Sequence, residues 1–249
     1  MPAERIYGLI GYPLGHSFSK KYFTEKFERE QITDARFELF PLESIALYPA
    51  LLQANPSLLG LAVTIPYKET VIPFLDNLDE TAQAVGAVNC IRIRKNERKG
   101  FNTDCIGFED SLKPLLKPWH TEALILGSGG ASKAVQYVLR KLGIPYQLVR
   151  RTATQPGELT YDALTASLIQ EKKLIIQTTP VGMQPNEADC LPIPFEGMGR
   201  EHLVYDLIYK PPRTQFLQEA EKKGAVIKNG LEMLWIQAEA NWRIWNETR

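Results

Sequence analysis

The stretch Glu122–Val135, EALILGSGGASKAV, limits what this chain can fold into more than any other. Its apolar start reads as a short buried strand that stops at Gly127. Beyond the glycines, Ala131, Ala134, Val135, Val138, Leu139 and Leu142 share one face of a helix that a glycine, Gly143, stops. PYQLVRR then reads as a second strand, which completes a βαβ unit. Gly127 and Gly129 stand where the chain turns from strand into helix. Without side chains there, backbone N–H groups at the helix start can approach a pyrophosphate. Ser132 takes the third place of the G-x-G-x-x-G pattern, and a plain glycine turn is the ordinary reading of such a loop by itself.

The end of the second strand separates two nucleotides. An NAD site expects an acidic residue there to bond the ribose hydroxyl. Here the chain reads Arg150-Arg151-Thr152. Guanidinium groups favour a 2′-phosphate through charge and forked hydrogen bonds, although arginine pairs are also common on solvated surfaces. The expected cofactor is NADP.

The 249 residues suffice for one large or two modest domains. Lysine plus arginine equals aspartate plus glutamate at 29 each, so no overall charge draws the chain to nucleic acid or membrane. A small molecule is the expected partner. Three scattered cysteines and three scattered histidines give neither a disulfide framework nor a metal cluster, and a reducing cytoplasm fits them best. The apolar run near the start contains Pro13, follows Glu4, and reads as a first strand rather than a signal segment.

The first hundred residues alternate in the same α/β manner. ERIYGLIG, RFELFPL, LLGLAVTI and AVGAVNCIRIR read as strands. SFSKKYFTEKFEREQI reads as a helix, ALYPALLQAN as a weaker one, and ETVIPFLD as a helix start broken near Pro73. KLIIQTTP and HLVYDLIY are later strands, RTQFLQEAEKKG a helix stopped by glycine, and LEMLWIQAEANWRIW an apolar last helix. A boundary is expected near Thr103–Asp104.

Four stretches end strands with polar residues: GYPLGHSFS, AVTIPYK, GAVNC and GFNTD. In such sheets ligand groups converge at strand ends. Ser17 and Ser19 suit a carboxylate at a helix N-terminus, and either also suits a helix cap. Asn89 reads equally as a turn amide, and Asp104 as the N-cap of a helix starting at Cys105. Lys68, directly beyond an apolar strand and Pro66, reads alone as a solvated lysine in a first helical turn. The helix dipole disfavours a cation there, however. As a set these residues look like a site, with Asp104 the candidate partner of Lys68.

In order along the chain, GYPLGHSFS, GLAVTIPYK, GAVNC, GFNTD, GSGGAS, RRT, QTTPVGM, YDLIYKPPRT and NGLEMLWIQA resemble the shikimate dehydrogenase family over nearly the whole length. The resemblance implies two α/β domains with a cleft between them. Residues 1–103 plus 231–249 would form the substrate domain, and residues 104–230 a Rossmann-type NADP-binding domain. It implies Lys68 and Asp104 as the catalytic pair, and Ser17, Ser19, Thr64, Asn89, Tyr209 and Gln237 as shikimate contacts. Gly127, Ser128, Gly129, Gly130, Ala131, Arg150, Arg151, Thr152, Leu207 and Gly230 would serve the nucleotide.

The chain departs from the family's usual letters at four places. Ala62 replaces asparagine, Lys20 proline, Cys90 threonine and Arg150 asparagine, and Arg150 is expected to add charge for a 2′-phosphate. The implied activity is reversible, NADPH-dependent reduction of 3-dehydroshikimate to shikimate, by a cytoplasmic monomer or homodimer. A quinate/shikimate dehydrogenase with relaxed substrate or NAD use, and a non-catalytic NADP-binding regulator, are the alternatives.

Overall fold

The computed structural model describes residues 4–15, 18–95 and 97–247. Its first half runs β1 (Arg5–Gly11), α1 (Phe18–Arg29), β2 (Ala35–Pro41), α2 (Tyr48–Ala54), β3 (Leu58–Val63), β4 (Asn77–Leu78), α3 (Glu80–Val85), β5 (Cys90–Arg94) and β6 (Glu97–Phe101). These strands form one sheet in the order β2-β1-β3-β5-β6-β4. β1 is parallel to β2 and β3, whereas β5 runs antiparallel to both β3 and β6.

Alternation along the strands sends side chains to opposite faces, and each face has its own core. Ile6, Ile10, Leu58, Leu61, Val63 and Ile91 pack on one side with Tyr48 and Tyr67. Tyr7, Leu9, Ala62 and Cys90 pack on the other with Phe23, Phe27 and Trp245. The second core depends on small residues. A Cβ at Gly60 would lie 2.3 Å from the Trp245 ring. Ala62 pairs with Cys90 across the strands, and the indole N–H of Trp245 donates to the Ile91 carbonyl at 3.0 Å. Ala62 is therefore buried in an aromatic cluster.

The second half runs α4 (Asp104–Leu112), β7 (Ala123–Leu126), α5 (Gly130–Lys141), β8 (Tyr146–Arg150), β9 (Leu159–Thr160), α6 (Ala166–Glu171), β10 (Leu174–Gln177), β11 (Leu203–Asp206), α7 (Gln215–Lys222), β12 (Val226–Asn229) and α8 (Leu231–Asn246). All six strands are parallel, in the order β12-β11-β10-β7-β8-β9. That is the doubly wound order, with its switch point between β7 and β10. The expected glycine stops are present. Gly143 has φ +69°, with Gly143 N–H donating to Arg140 O at 3.1 Å and Ile144 N–H to Leu139 O at 2.9 Å. This left-handed closure satisfies the last carbonyls of α5, and Gly224 closes α7 in the same way.

Contacts divide the chain into two units, Met1–Thr103 with Gln237–Arg249, and Asp104–Ile236. Helix α8 therefore begins in the second unit and ends in the first. In the first unit Trp242 and Trp245 lie 5.2 Å from the Tyr7 ring, and Glu239 holds Lys26 of α1 at 2.9 Å.

Candidate active site

In the first unit, strand register brings the four polar stretches to one end of the sheet. Ile10 pairs with Val63, Ala62 with Cys90, and Cys90 with Phe101. Because β5 is antiparallel, its start meets the ends of β3 and β6. Val63 N–H donates to Asn89 O at 2.8 Å, Asn89 N–H to Phe101 O at 3.1 Å, and Thr64 N–H to Ile10 O at 2.9 Å. Gly11 is required here, since a Cβ would come within 2.4 Å of Thr64 Cγ2.

Lys68 is not in a helix. A turn closed by Tyr67 N–H donating to Thr64 O at 2.9 Å carries the chain out of β3. Residues 68–71 continue as turn, and only the single 3₁₀ turn Ile72–Phe74 follows. Pro73 lacks the N–H that a longer helix would use. Tyr67 is buried, and its hydroxyl donates to the Leu42 carbonyl. The Lys68 carbonyl accepts from Val88 N–H at 2.7 Å. The half-buried lysine is thus fixed next to the Asn89 segment by its own backbone and by its neighbour's side chain.

Asn89 begins a buried polar chain. Its Oδ1 accepts from Thr103 N–H at 2.7 Å, while the Thr103 hydroxyl donates to Asn241 Oδ1 at 2.6 Å. Asn241 Nδ2 in turn donates to Gln237 Oε1 at 3.3 Å. Two candidate substrate residues, Asn89 and Gln237, are linked through two that the sequence reading did not assign. The signal for Asn241 was available: it lies four positions after Gln237, so both project from the same side of α8.

Ser17 lies outside the described residues. Ser19 is half-buried in the first turn of α1. Lys20 reaches the Phe37 carbonyl and pairs with Glu38 at 3.0 Å, so its charge is matched on β2.

In the second unit Asp104 is the first residue of α4 rather than a cap before it, and is buried. Tyr209 is half-buried, which raises its phenol above the ordinary value. Its loop is anchored by Asp206, whose Oδ1 accepts from Ile208 N–H at 2.9 Å and Oδ2 from the Thr214 hydroxyl at 2.6 Å.

The glycine loop sits at the switch point of the parallel sheet. Gly127 has φ +108°, and a Cβ there would lie 2.7 Å from Thr178 Oγ1 and Thr179 Cγ2, the residues that follow β10. Ser132 is wholly buried, its hydroxyl donating to Gly127 O at 2.9 Å, which explains why a serine serves in the third position. Ser128 and Gly129 are exposed, and a Cβ at Gly129 would meet nothing within 4 Å. Gly129 caps α5 with no side-chain bond, so the N–H groups of Gly130, Ala131 and the rest of the first turn suit a dinucleotide pyrophosphate. Leu207 N–H donates to Gln177 O at 3.0 Å, and Gly230 packs so tightly that a Cβ would lie 2.0 Å from Leu207 O.

The RRT residues divide. Arg151 and Thr152 are exposed. Arg150 is engaged within its own loop, donating through Nη1 to Thr154 Oγ1 at 2.7 Å and to Glu158 Oε1 at 2.8 Å. Its added charge is balanced by a carboxylate.

A parallel doubly wound sheet with an uncapped helix N-terminus at its switch point is the architecture of a dinucleotide-binding α/β domain. The sequence model of the shikimate dehydrogenase substrate binding domain matches residues 9–91. Shikimate dehydrogenase (NADP(+)) of Dictyoglomus thermophilum is 35% identical over 260 residues, covering 98% of this chain and 92% of that protein. The crystal structure of shikimate 5-dehydrogenase from Thermus thermophilus, in complex with NADP(H) and shikimate, superposes with TM-score 0.86 at 30% identity, covering 98% and 94% of the two chains. A ligand-free 5-ketofructose reductase from Gluconobacter sp. strain CHM43 has TM-score 0.84 at 25% identity, covering 100% and 95%. The chain belongs to the shikimate dehydrogenase family, NADP-dependent oxidoreductases acting on a CH–OH group.

Proposed function

We propose that this chain interconverts 3-dehydroshikimate and shikimate in aromatic amino-acid biosynthesis, with Lys68 as the group beside the reacting oxygen. The observation that carries the residue assignment is the fixed backbone of Lys68, tied to Val88 directly before Asn89. A catalytic ammonium has to be preorganised where charge develops, and a fixed backbone at the root of the Lys68 side chain supports that reading.

Bound NADPH supplies the hydride that reduces the ketone. Lys68 then has two tasks in one place: its ammonium offsets the charge growing on the ketone oxygen, and it donates the proton that makes the hydroxyl. Asp104 is the carboxylate assigned to act with it on a substrate hydroxyl. Ser17, Ser19, Thr64, Asn89, Tyr209 and Gln237 orient the ring hydroxyls and carboxylate. Asn89 Oδ1 accepts from Thr103 N–H, which supports a fixed side chain at a proposed substrate contact. Gly127, Ser128, Gly129, Gly130, Ala131, Leu207 and Gly230 hold the nucleotide. Arg151 and Thr152 take its 2′-phosphate. The wide spacing of Cys90, Cys105 and Cys190 along the chain suits a cytoplasmic enzyme, acting as a monomer or homodimer.

General acid–base assistance is worth about 100- to 10,000-fold in rate. Lys68→Ala is expected to lower kcat by at least roughly 100-fold while NADPH still binds with near wild-type affinity. Near-normal turnover in this variant would remove Lys68 from the reaction.

A further inference from the structure

The loop that joins β8 to β9 is closed by one carboxylate. The side chain of Glu158 is only 9% exposed. Its Oε2 accepts from the backbone N–H of Thr154 at 2.7 Å and of Gln155 at 3.1 Å, and lies 3.2 Å from Thr154 Oγ1. Its Oε1 accepts from Arg150 Nη1 at 2.8 Å. Gly157, at φ +86°, lets the chain turn back so that Glu158 faces the loop it follows. The bonds hold the Glu158 carboxyl well below its ordinary range, to about 2, so it is ionised at any working pH.

An ionised carboxylate is an unexpected neighbour for a phosphate site, because like charges repel. Two details resolve this. The negative charge is directed into backbone N–H groups, and Arg150 neutralises it. What remains facing outward is Arg151 and Thr152 on a loop whose shape is set from behind.

We infer that Glu158 is a positioning residue that sets the preference for NADP over NAD, bracing the 151–157 loop so that Arg151 and Thr152 meet the 2′-phosphate, with Arg150 serving as its counter-ion. The inference rests on the reading of this loop as the 2′-phosphate site. Its physical content is that a charge-assisted brace gives a flexible arginine less freedom to lose on binding.

The two nucleotides differ only in the 2′-phosphate, so their comparison separates a brace from a general structural part. Damage to the fold lowers kcat/KM with both NADPH and NADH. Loss of the brace lowers it with NADPH selectively. Glu158→Gln keeps the volume and removes the charge, and is expected to lower the NADPH/NADH ratio of kcat/KM about tenfold, the usual scale of a charge-assisted hydrogen bond. Arg151→Ala is assayed beside it and is expected to lower the same ratio at least as far. If Arg151→Ala lowers the ratio and Glu158→Gln leaves it unchanged or raises it, the brace is overturned and the phosphate site stands. If neither variant changes the ratio, the loop is not the 2′-phosphate site and both readings fall.

Discussion

Asp206 is buried at the end of β11, and burial pushes its carboxyl up to about 6 despite the two hydrogen bonds it accepts. The sign follows from linkage. A carboxyl bound more tightly to its proton in the folded chain than in the unfolded one adds stability at low pH and loses it as pH rises through about 6. The difference from an ordinary aspartate corresponds to roughly 3 kcal/mol. Wild type should therefore gain stability relative to Asp206→Asn, which cannot titrate, by on the order of 2–3 kcal/mol between pH 8 and pH 4. Urea unfolding of both proteins across that range measures it, and a gap that does not move with pH contradicts the assignment. At this scale the place of Lys68 just beyond an apolar strand was legible in the sequence, because LLGLAVTI and Pro66 lead directly into it. The part of Thr103 was not, since it depends on a hydrogen bond to Asn241, 138 positions away. Arg150 was legible as a charge but not as the counter-ion of Glu158, because that carboxylate lies beyond the strand end where the sequence motif stops.

The elements read most clearly were the helices with apolar periodicity and a glycine stop, α5 and α7, and the short apolar strands β7, β10 and β11. β6 escaped the reading because ERKGF is mostly polar and gains its place by pairing with β5 and β4. α3 escaped although its signals were present: Asp79 caps it by accepting from Ala82 N–H at 2.8 Å, and Gly86 ends it in the left-handed region. ETVIPFLD reads as a helix start broken near Pro73, and only the 3₁₀ turn Ile72–Phe74 forms there. The seat of Trp245 on Gly60, Ala62 and Cys90 explains why small residues occupy the core face of β3 and β5. An asparagine at position 62 would have to place its amide among these rings, and the alanine avoids that cost. Gly60→Ala puts a Cβ into the indole and should destabilise the protein by about 1–3 kcal/mol. Thermal unfolding would show it, and an unchanged midpoint would mean that Trp245 is free to shift.

For the whole molecule, the balance of 29 positive and 29 negative side chains gives no bulk field, so recognition rests on local groups. No helix among the described residues is long and apolar enough to cross a membrane, and no group of three or more histidine, cysteine or acidic side chains there is arranged to hold a metal. The fold class was legible because two runs of alternating strands and helices flank Thr103–Asp104, each matching its own sheet. Substrate identity is a finer matter, since a 5-ketofructose reductase shares this architecture. The most direct test is the initial rate of shikimate-dependent NADP⁺ reduction by the purified chain, followed by NADPH absorbance, with NAD⁺ and quinate run in parallel. The account predicts turnover with shikimate and NADP⁺, and a kcat/KM at least about tenfold above that for either replacement, a difference of roughly 1.4 kcal/mol. Equal rates with NAD⁺ or quinate, or no turnover of shikimate by a chain that binds both ligands, would contradict it.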